Sequence, residues 1–465
     1  MEKTNNTFPH NPLRFDSDGL NRSEVLALYK QLLLPRMIEE KMLSQLRQGK
    51  ISKWFSGIGQ EAISVGVAAA MPNDTWILPM HRNLGIFTTR GITLDRLFSQ
   101  FKGKEHGFTK GRDRSFHFGS KAHKICGMIS HLGPQLGIAD GIALAHKLDK
   151  SGKATFVFTG DGGASEGDFH EAVNVAAVWQ LPVIIGIENN SWGLSTPSAE
   201  QYRCAHFTDK AIGYGIPAED AIQVDGNDIL AVYNTVRKCV ESLREKPRPI
   251  ILEFKTFRIR GHEEASGTKY YPEGLIEKWQ EVDPVERFTA HLKASGGLRN
   301  EEESEMQEMH KAAILEGLKI SSDLPDIVAN VDVELEDRFA PGTPAPIPPT
   351  SEGRELRLID AIQEGLGMSM EKNEGMVCMG QDIGAYGGVF KVTDGFIERF
   401  GEARVRSTPL CESAIVGAAL GLSISGRKSM MEMQFSDFVT CGFNQIVNNL
   451  AKLHWRWGQN ADVVV

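Results

Sequence analysis

The sequence has no long apolar run, no pair of neighbouring cysteines and no surplus of basic residues. We find no uninterrupted stretch of about 18 apolar residues, the minimum that a membrane-spanning helix needs. The first twenty residues are polar and lack the apolar core of a secretory signal. We therefore expect a cytoplasmic protein without a membrane partner.

The six cysteines are scattered along 465 residues, and none belongs to a CxxC pair. This spacing favours reduced thiols over a disulfide framework or a structural zinc site. The net charge of −9 arises in one segment, because the chain between Glu301 and Arg338 carries twelve acidic and three basic residues. The remainder is balanced, so we expect no nucleic-acid partner.

Composition divides the chain into four parts. Residues 1–20 are expected to be loosely ordered, and residues 21–340 alternate helical patterns with short apolar runs such as Val183–Ile187. Such alternation is typical of a parallel sheet with helices on both faces. Residues 341–354 begin with five prolines in nine residues and are predicted to form a semi-rigid linker. A second α/β pattern covers residues 355–465.

This second pattern predicts a helix over Leu358–Met370, a strand over Met376–Met379 and a helix from Glu412 to about Leu422. The chain stops at Asp462–Val465, which has the composition of a strand that is just beginning. We therefore expect a truncated polypeptide with a partial second domain. The alternative is an edge strand that happens to be terminal.

The strongest local signal is the glycine-rich turn Gly160–Asp168, which follows a strand predicted over Ala154–Thr159. Glycines allow the backbone to approach a phosphate closely, and a helix N-terminus offers free N–H groups. Asp161 adds a carboxylate at the anion site itself. Such an arrangement makes sense only if a cation lies between the carboxylate and the phosphate.

The matching half follows the next strand, where Asn189 and Asn190 come 28 and 29 residues after Asp161. The carboxyl ends of adjacent parallel strands meet at one edge of a sheet, so the Asp161 carboxylate, the Asn190 amide oxygen and the Trp192 carbonyl can converge. With two diphosphate oxygens and a water they would complete an octahedral Mg²⁺ site. A lone GDG is usually a plain turn, but this pair of motifs matches the signature of thiamine-diphosphate enzymes.

The chain resembles the first, decarboxylating component of the 2-oxo acid dehydrogenase complexes over nearly its whole length. Residues 21–340 are similar to its α subunit and residues 355–465 to the N-terminal part of its β subunit, joined here head to tail. The resemblance implies a three-layer α/β, parallel-sheet thiamine-diphosphate-binding fold, with a complete diphosphate-type domain and a partial pyrimidine-type domain. The stretches that favour the branched-chain (2-oxoisovalerate) type are Arg47–Ser52, Ala164–Asp168, Ser195–Arg203 and Thr408–Glu412.

The resemblance assigns cofactor contacts to His81, Arg82, Asp161, Gly162, Gly163 and Asn190, and it places Ser130 and Leu132 at the contact positions of a loop whose backbone holds the aminopyrimidine ring. Arg82 suits a diphosphate because a guanidinium pairs with phosphate in a bidentate manner. His81 departs from the family's usual tyrosine, and its role stays open. Pro134 replaces the threonine ligand of a potassium ion that some branched-chain members bind, so we expect no such ion.

His262 stands where the family has an active-site histidine near the diphosphate and the substrate. Glu263 follows it at the place of a regulatory phosphoserine of mitochondrial members, which excludes kinase control at this position. In the β-like part, Glu412 matches the glutamate that bonds the aminopyrimidine ring and favours its imino tautomer. Gln434 and Phe438 match positions that line this ring. Without the resemblance, Glu412 could simply open a helix, where an acid is favoured by the macrodipole.

The implied activity is oxidative decarboxylation of a branched-chain 2-oxo acid with thiamine diphosphate and Mg²⁺, followed by acyl transfer to the lipoyl group of an acyltransferase partner. The catalytic residues would be Glu412 and His262. In the family the cofactor lies between domains of different halves, so we expect a homo-oligomer, at least a dimer. Pyruvate as substrate, ketol transfer of the transketolase type, and a non-catalytic cofactor-binding or docking module remain alternatives, and this chain alone is expected to be incomplete for turnover.

Overall fold

The computed structural model describes residues 14–113, 115–342, 346–348 and 353–465. Parts of the predicted N-terminal segment and of the predicted linker therefore lie outside the described residues. No helix within the described ranges is long and apolar enough to cross a membrane. All six cysteines are free thiols.

Two α/β units follow one another, which we call the N-terminal half (residues 14–340) and the C-terminal half (residues 355–465). The helices of the N-terminal half are α1 Arg22–Arg47, α2 Glu61–Ala70, α3 Leu84–Thr89, α4 Leu94–Phe101, α5 Gln135–Leu148, α6 Gly167–Trp179, α7 Ser198–Gln201, α8 Ile229–Glu245, α9 Leu275–Gln280, α10 Pro284–Ala294, α11 Asn300–Asp323 and α12 Val331–Glu336. Its strands are β1 Ile77–Leu78, β2 Thr155–Gly160, β3 Val183–Asn189, β4 Trp192–Gly193, β5 Thr196–Pro197, β6 Ala221–Asp225 and β7 Ile250–Lys255.

The main sheet of the N-terminal half has the strand order β1-β2-β3-β7-β6, and all neighbouring strands are parallel. Helices α5 and α6 cover one face, while α1 to α4 and α8 cover the other. Strands β2 and β3 are almost wholly apolar and buried because both faces are covered. The expected three-layer, parallel-sheet architecture is confirmed.

The C-terminal half contains the helices α13 Leu358–Lys372, α14 Phe396–Phe400, α15 Glu412–Ile424 and α16 Leu453–Trp457, and the strands β8 Val377–Gly380, β9 Val405–Ser407, β10 Ser429–Glu432 and β11 Val463–Val464. Its sheet is also parallel, in the order β11-β10-β8-β9. The elements predicted from sequence are present, with ends that differ by one or two residues. The last strand pairs with β10 at the edge of this sheet.

The two halves meet along α5 and α15, which approach each other at backbone distance. A Cβ atom built on Gly141 would lie 2.0 Å from the carbonyl oxygen of Ala418, and one on Gly421 would lie 2.0 Å from that of Ile138. Glycine is therefore required on both helices. A continuous apolar core runs from the sheet of the N-terminal half through this contact into the sheet of the C-terminal half.

The expectation of loose order is wrong for residues 14–20. Phe15 is buried and packs on Phe288 with ring centroids 5.1 Å apart. The N–H groups of Arg14 and Phe15 donate to Asp228 Oδ2 at 3.1 and 2.8 Å, while Asp228 Oδ1 caps the first turn of α8. The carboxylate that caps α8 therefore also binds the N-terminal segment, which lies more than 200 residues earlier in the chain. Local composition does not predict such a contact.

Candidate active site

A cavity of about 250 Å³ opens beside the carboxyl ends of β2 and β3. The strand register sets Gly160 of β2 beside Glu188 of β3, so the segments that follow both strands leave the sheet together. The cavity is lined by most of the residues that the sequence singled out in the N-terminal half, namely His81, Arg82, Leu132, Asp161, Gly162, Gly163, Asn190, Trp192 and His262.

One corner of the cavity is acidic and rich in oxygen atoms. The Trp192 N–H donates to Asp161 Oδ2 at 2.8 Å and to Asn190 Oδ1 at 3.2 Å, so the two predicted cation ligands lie side by side. Burial raises the pKa of Asp161, while Arg258 and nearby N–H donors counteract that shift. A Cβ atom on Gly162 would come within 3.0 Å of the Gly193 Cα, so the turn is bare backbone at this point.

Another part of the cavity wall, which we call the cationic corner, carries two arginines. Arg82 and Arg258 are both buried, and among the described residues neither guanidinium forms an ion pair with a carboxylate. Arg82 Nη2 and Arg258 Nη1 lie 3.1 and 3.4 Å from His262 Nδ1. Two buried cations that form no ion pair are unfavourable, which makes this corner a strong site for an anion.

His262 is held as a neutral acceptor by these neighbours. Burial, followed by Arg82 and Arg258, lowers the pKa of His262 to about 4. Burial and then Arg258 also lower the pKa of Arg82, to about 10. Because both guanidinium groups donate toward Nδ1, the ring carries its proton on Nε2, where it can donate to a ligand.

His81 adds a second imidazole to the cavity wall. Its ring centroid lies 5.9 Å from that of His262 and 5.0 Å from that of Phe55. Burial, and then Arg82, hold the pKa of His81 well below its usual value. Within the described part of the chain His81 Nε2 is buried and has no hydrogen-bond partner. A buried polar atom without a partner is costly, and a ligand oxygen in the cavity would satisfy it.

The remaining predicted residues do not line this cavity. Ser130 is exposed, although Leu132 two positions later does line it. Glu412, Gln434 and Phe438 form a separate group in the C-terminal half. Glu412 Oε1 accepts from Gln381 Nε2 at 2.9 Å, Gln434 Nε2 donates to the Gln381 carbonyl at 3.3 Å, and Phe438 contacts Phe435 edge to face.

The two groups are connected through helix α15, which begins at Glu412. Ala414 N–H donates to Glu171 of α6 at 3.0 Å, and Gln445 Nε2 donates to the Pro134 carbonyl at 2.7 Å. Helix α6 follows the glycine turn directly, so Glu412 starts its helix beside the diphosphate-type elements of the same chain. The expectation of an oligomer rested on a site between two chains, and oligomerisation itself stays a prediction.

Sequence reasoning missed Arg258, which lines the cavity and donates from Nη2 to the Leu194 carbonyl at 2.6 Å. Arg258 lies three residues past the carboxyl end of β7, so a search for cations just beyond each apolar strand would have found it. The loop Trp54–Gly57 was also missed, and it carries no local pattern that signals its role.

These observations match a diphosphate ligand. The cavity joins a glycine turn, two unpaired guanidinium groups and an imidazole nitrogen that lacks a partner, all on the carboxyl edge of a parallel sheet. Among the described residues no group of three His, Cys, Asp or Glu side chains could hold a metal, so a cation here would rely on amide and carbonyl oxygens beside Asp161. The fold and site define an α/β protein with two parallel sheets and a cavity suited to an anion at the carboxyl edge of the first sheet.

The chain belongs to the dehydrogenase E1 component family, whose model matches residues 29–328, well over half of the sequence. Residues 354–464 match the pyrimidine-binding domain of transketolase. Both families depend on thiamine diphosphate, so the expected cofactor is confirmed at the level of the family.

Curated relatives point to one branch of this family. The chain is 36% identical over 309 residues to 2-oxoisovalerate dehydrogenase subunit alpha 1 of Arabidopsis thaliana, covering 65% of each chain. It is 35% identical over 315 residues to 2-oxoisovalerate dehydrogenase subunit alpha of Bacillus subtilis, covering 67% of this chain and 94% of that one. A 3-methyl-2-oxobutanoate dehydrogenase subunit alpha of Mycobacterium tuberculosis is 33% identical over 271 residues, covering 58% of this chain and 70% of that one. The chain thus spans just under two thirds of the Arabidopsis relative.

Proposed function

We propose that the protein catalyses the thiamine-diphosphate-dependent oxidative decarboxylation of a branched-chain 2-oxo acid, as the first component of a multienzyme complex. The observation that carries this proposal is the pair of buried guanidinium groups, Arg82 and Arg258, converging without a carboxylate on His262. The acid and amide pair Asp161 and Asn190 lines the same cavity.

At the diphosphate end, Arg82 and Arg258 would neutralise the phosphate oxygens, and the glycine turn would let them approach the backbone. Asp161 and Asn190, with the Trp192 carbonyl, would hold a Mg²⁺ ion between protein and diphosphate. His81 Nε2 would gain a partner among the phosphate oxygens.

In the C-terminal half, Glu412 would hold a ring nitrogen of the cofactor by a hydrogen bond, while Gln434 and Phe438 pack around that ring. Gln381 already bonds Glu412 and so orients its carboxylate. When bound, thiamine diphosphate supplies the nucleophilic carbon that attacks the keto group and takes up the electrons as carbon dioxide leaves. His262, neutral near pH 7, would donate a hydrogen bond from Nε2 to charge that develops at the substrate.

A branched-chain 2-oxo acid is the first choice of substrate, because several relatives at 33–36% identity carry that name. Pyruvate is the second choice, since a pyruvate dehydrogenase E1 component subunit alpha of Acholeplasma laidlawii is 32% identical over 302 residues. The apolar side chains of Leu132 and Leu194 at the cavity support an aliphatic substrate. One methylene in such a pocket is worth about 1–3 kcal/mol of discrimination.

The acyl group would pass to the lipoyl group of an acyltransferase partner, and the working unit would be at least a dimer. A cytoplasmic location fits the six free thiols. These proposals rest on the family relationship and on composition.

The protein made from its complete gene, supplied with thiamine diphosphate, Mg²⁺ and an artificial electron acceptor, should oxidise 3-methyl-2-oxobutanoate with a higher kcat/KM than pyruvate. Glu412→Gln should lower kcat by about 10²–10⁴-fold, as expected for loss of an acid–base group. A ketol-transfer assay on the same preparation is the control for transketolase chemistry. Full turnover by the Glu412→Gln protein, or ketol transfer without oxo acid oxidation, would contradict the proposal.

A further inference from the structure

The loop Trp54–Gly57 touches the cationic corner although it does not line the cavity. The Ser56 carbonyl accepts a hydrogen bond from Arg82 Nη1 at 3.0 Å. The Phe55 ring lies 5.5 Å from the His262 ring, with the Arg82 guanidinium 5.9 Å from its centroid. One four-residue loop therefore contacts both the guanidinium and the imidazole that face the ligand.

The same loop also holds the backbone that carries His262. The Trp54 carbonyl accepts from the Glu264 N–H at 3.2 Å, two residues beyond His262. A Cβ atom on Gly57 would lie 2.5 Å from the Arg82 carbonyl oxygen, so the loop is pressed against the backbone of Arg82. A shift of the loop would move both residues.

A single carboxylate fixes this loop from behind. Glu39 of α1 is fully buried, its Oε2 accepts from the Trp54 indole N–H at 2.5 Å, and its Oε1 accepts from the Gly57 N–H at 2.8 Å. Both ends of the loop are thus bound to one side chain. Burial raises the pKa of Glu39 to about 7, and the two donors act against that shift. Burial of a carboxyl group is unfavourable, so the presence of Glu39 here indicates that its contacts with the loop are needed.

We propose that Glu39 is a positioning residue for the diphosphate end of the cofactor: by clamping Trp54 and Gly57 it sets the loop that aims Arg82 and His262. This inference rests on thiamine diphosphate occupying that corner. Glu39 does not line the cavity, so it would act on the ligand through the loop and through the attraction between its carboxylate and Arg82. Affinity for the diphosphate moiety, and not for the thiamine moiety, should depend on it.

The test is calorimetric titration of the whole protein with thiamine diphosphate, inorganic pyrophosphate and thiamine. In Glu39→Gln the amide keeps one acceptor, and its NH₂ group must face one of the two N–H donors. We expect the Kd for pyrophosphate and for thiamine diphosphate to rise by about tenfold, the effect of one charge-assisted hydrogen bond, with the Kd for thiamine unchanged. Equal weakening of all three ligands, or no weakening of pyrophosphate, overturns the inference.

Trp54→Phe tests the same clamp without removing the carboxylate. It deletes the indole donor, so Glu39→Gln in the Trp54→Phe background should weaken pyrophosphate binding less than it does in the wild type. Additive effects of the two substitutions would contradict a shared clamp. If Glu39→Gln folds poorly, Trp54→Phe alone keeps the inference testable, because it should raise the Kd for pyrophosphate and leave the Kd for thiamine unchanged.

Asp283→Asn is the matched control. Asp283 is also buried and contacts α1 through Arg36 at 2.8 Å, but its other donors are the N–H groups of Val285 and Glu286 at the start of α10 and not the loop. It should lower the Tm and leave the pyrophosphate Kd unchanged. A protein that binds thiamine diphosphate but fails to oxidise oxo acids would end the proposed function and leave the role of Glu39 standing.

Discussion

The Ser413 hydroxyl donates a hydrogen bond to the Asp168 carboxylate. This bond joins α15, which begins at Glu412, to α6, which follows the glycine turn. The two residues are 245 positions apart, yet they belong to one chain. The helix that begins at the predicted pyrimidine contact Glu412 is therefore bonded, within one polypeptide, to the helix that follows the predicted diphosphate-binding turn.

Cysteines at both ends of this bond should form a disulfide within one chain. The double variant Asp168→Cys, Ser413→Cys is expected to oxidise readily, because the parent side chains are in contact and a disulfide needs such proximity. On a non-reducing gel it should run as a single cross-linked chain. The two single variants are the controls. A covalent dimer from the double variant would show that the contact forms between chains.

Arg258→Gln should weaken pyrophosphate binding by about 10–100-fold, the loss expected when a hydrogen bond to a charged group is removed. The reason is that Arg258 is buried beside His262 and forms no ion pair with a carboxylate among the described residues. Arg260→Gln is the control, since Arg260 pairs with Glu264 at 2.7 Å. Calorimetric titration compares the two, and equal losses would contradict a special role for Arg258.

Binding of an anion should make His262 take up a proton. Its pKa is lowered from 6.5 to about 4 by burial, Arg82 and Arg258, and an anion that screens the two guanidinium groups favours the charged ring. Between pH 4 and pH 6.5, His262 then carries more protons in the complex than in the free protein. The affinity for the anion should therefore increase as the pH falls. The measurement is pyrophosphate binding heat at pH 5.5 in buffers of different ionisation enthalpy. His262→Asn should show less proton uptake, and an identical uptake would refute the assignment.

Gly141→Ala should lower the free energy of unfolding by about 1–3 kcal/mol or more, the cost of overpacking. The added Cβ would lie 2.0 Å from the Ala418 carbonyl, and both partners are backbone atoms that cannot rotate away. Gly365→Ala is the matched control on α13, where a Cβ meets nothing within 4 Å. It should be neutral or stabilising by up to about 1 kcal/mol, because alanine favours a helix. Urea unfolding followed by circular dichroism measures both, and equal stabilities would contradict the close contact.

Local rules of chain geometry explain which parts of the site were predictable. Asp161 and Asn190 each follow an apolar strand directly, and neighbouring parallel strands bring such residues together at one edge. The structure places them side by side, as the spacing indicates. The helix beginning at Glu412 was likewise predictable, because its apolar run is long and uninterrupted.

Other parts depend on which elements become neighbours in space. Arg258 reaches the cavity only because β7 lies next to β3 in the sheet, although about sixty residues separate them along the chain. Phe15 is held by the second carboxylate oxygen of Asp228 and by packing of its ring on Phe288, both of which are distant in the sequence. Ser130 follows the family pattern in sequence, yet its side chain is exposed and does not line the cavity.

The sequence by itself determined the two α/β units, the parallel sheets and the motif residues at the strand ends, since these follow from hydrophobic periodicity and from turn chemistry over short stretches of chain. The tertiary structure alone decided that Arg82, Arg258 and His262 form one cationic corner, and that Glu39 fixes the loop behind it. Those arrangements are set by packing between distant segments, and no local pattern of residues specifies which buried charges will face each other.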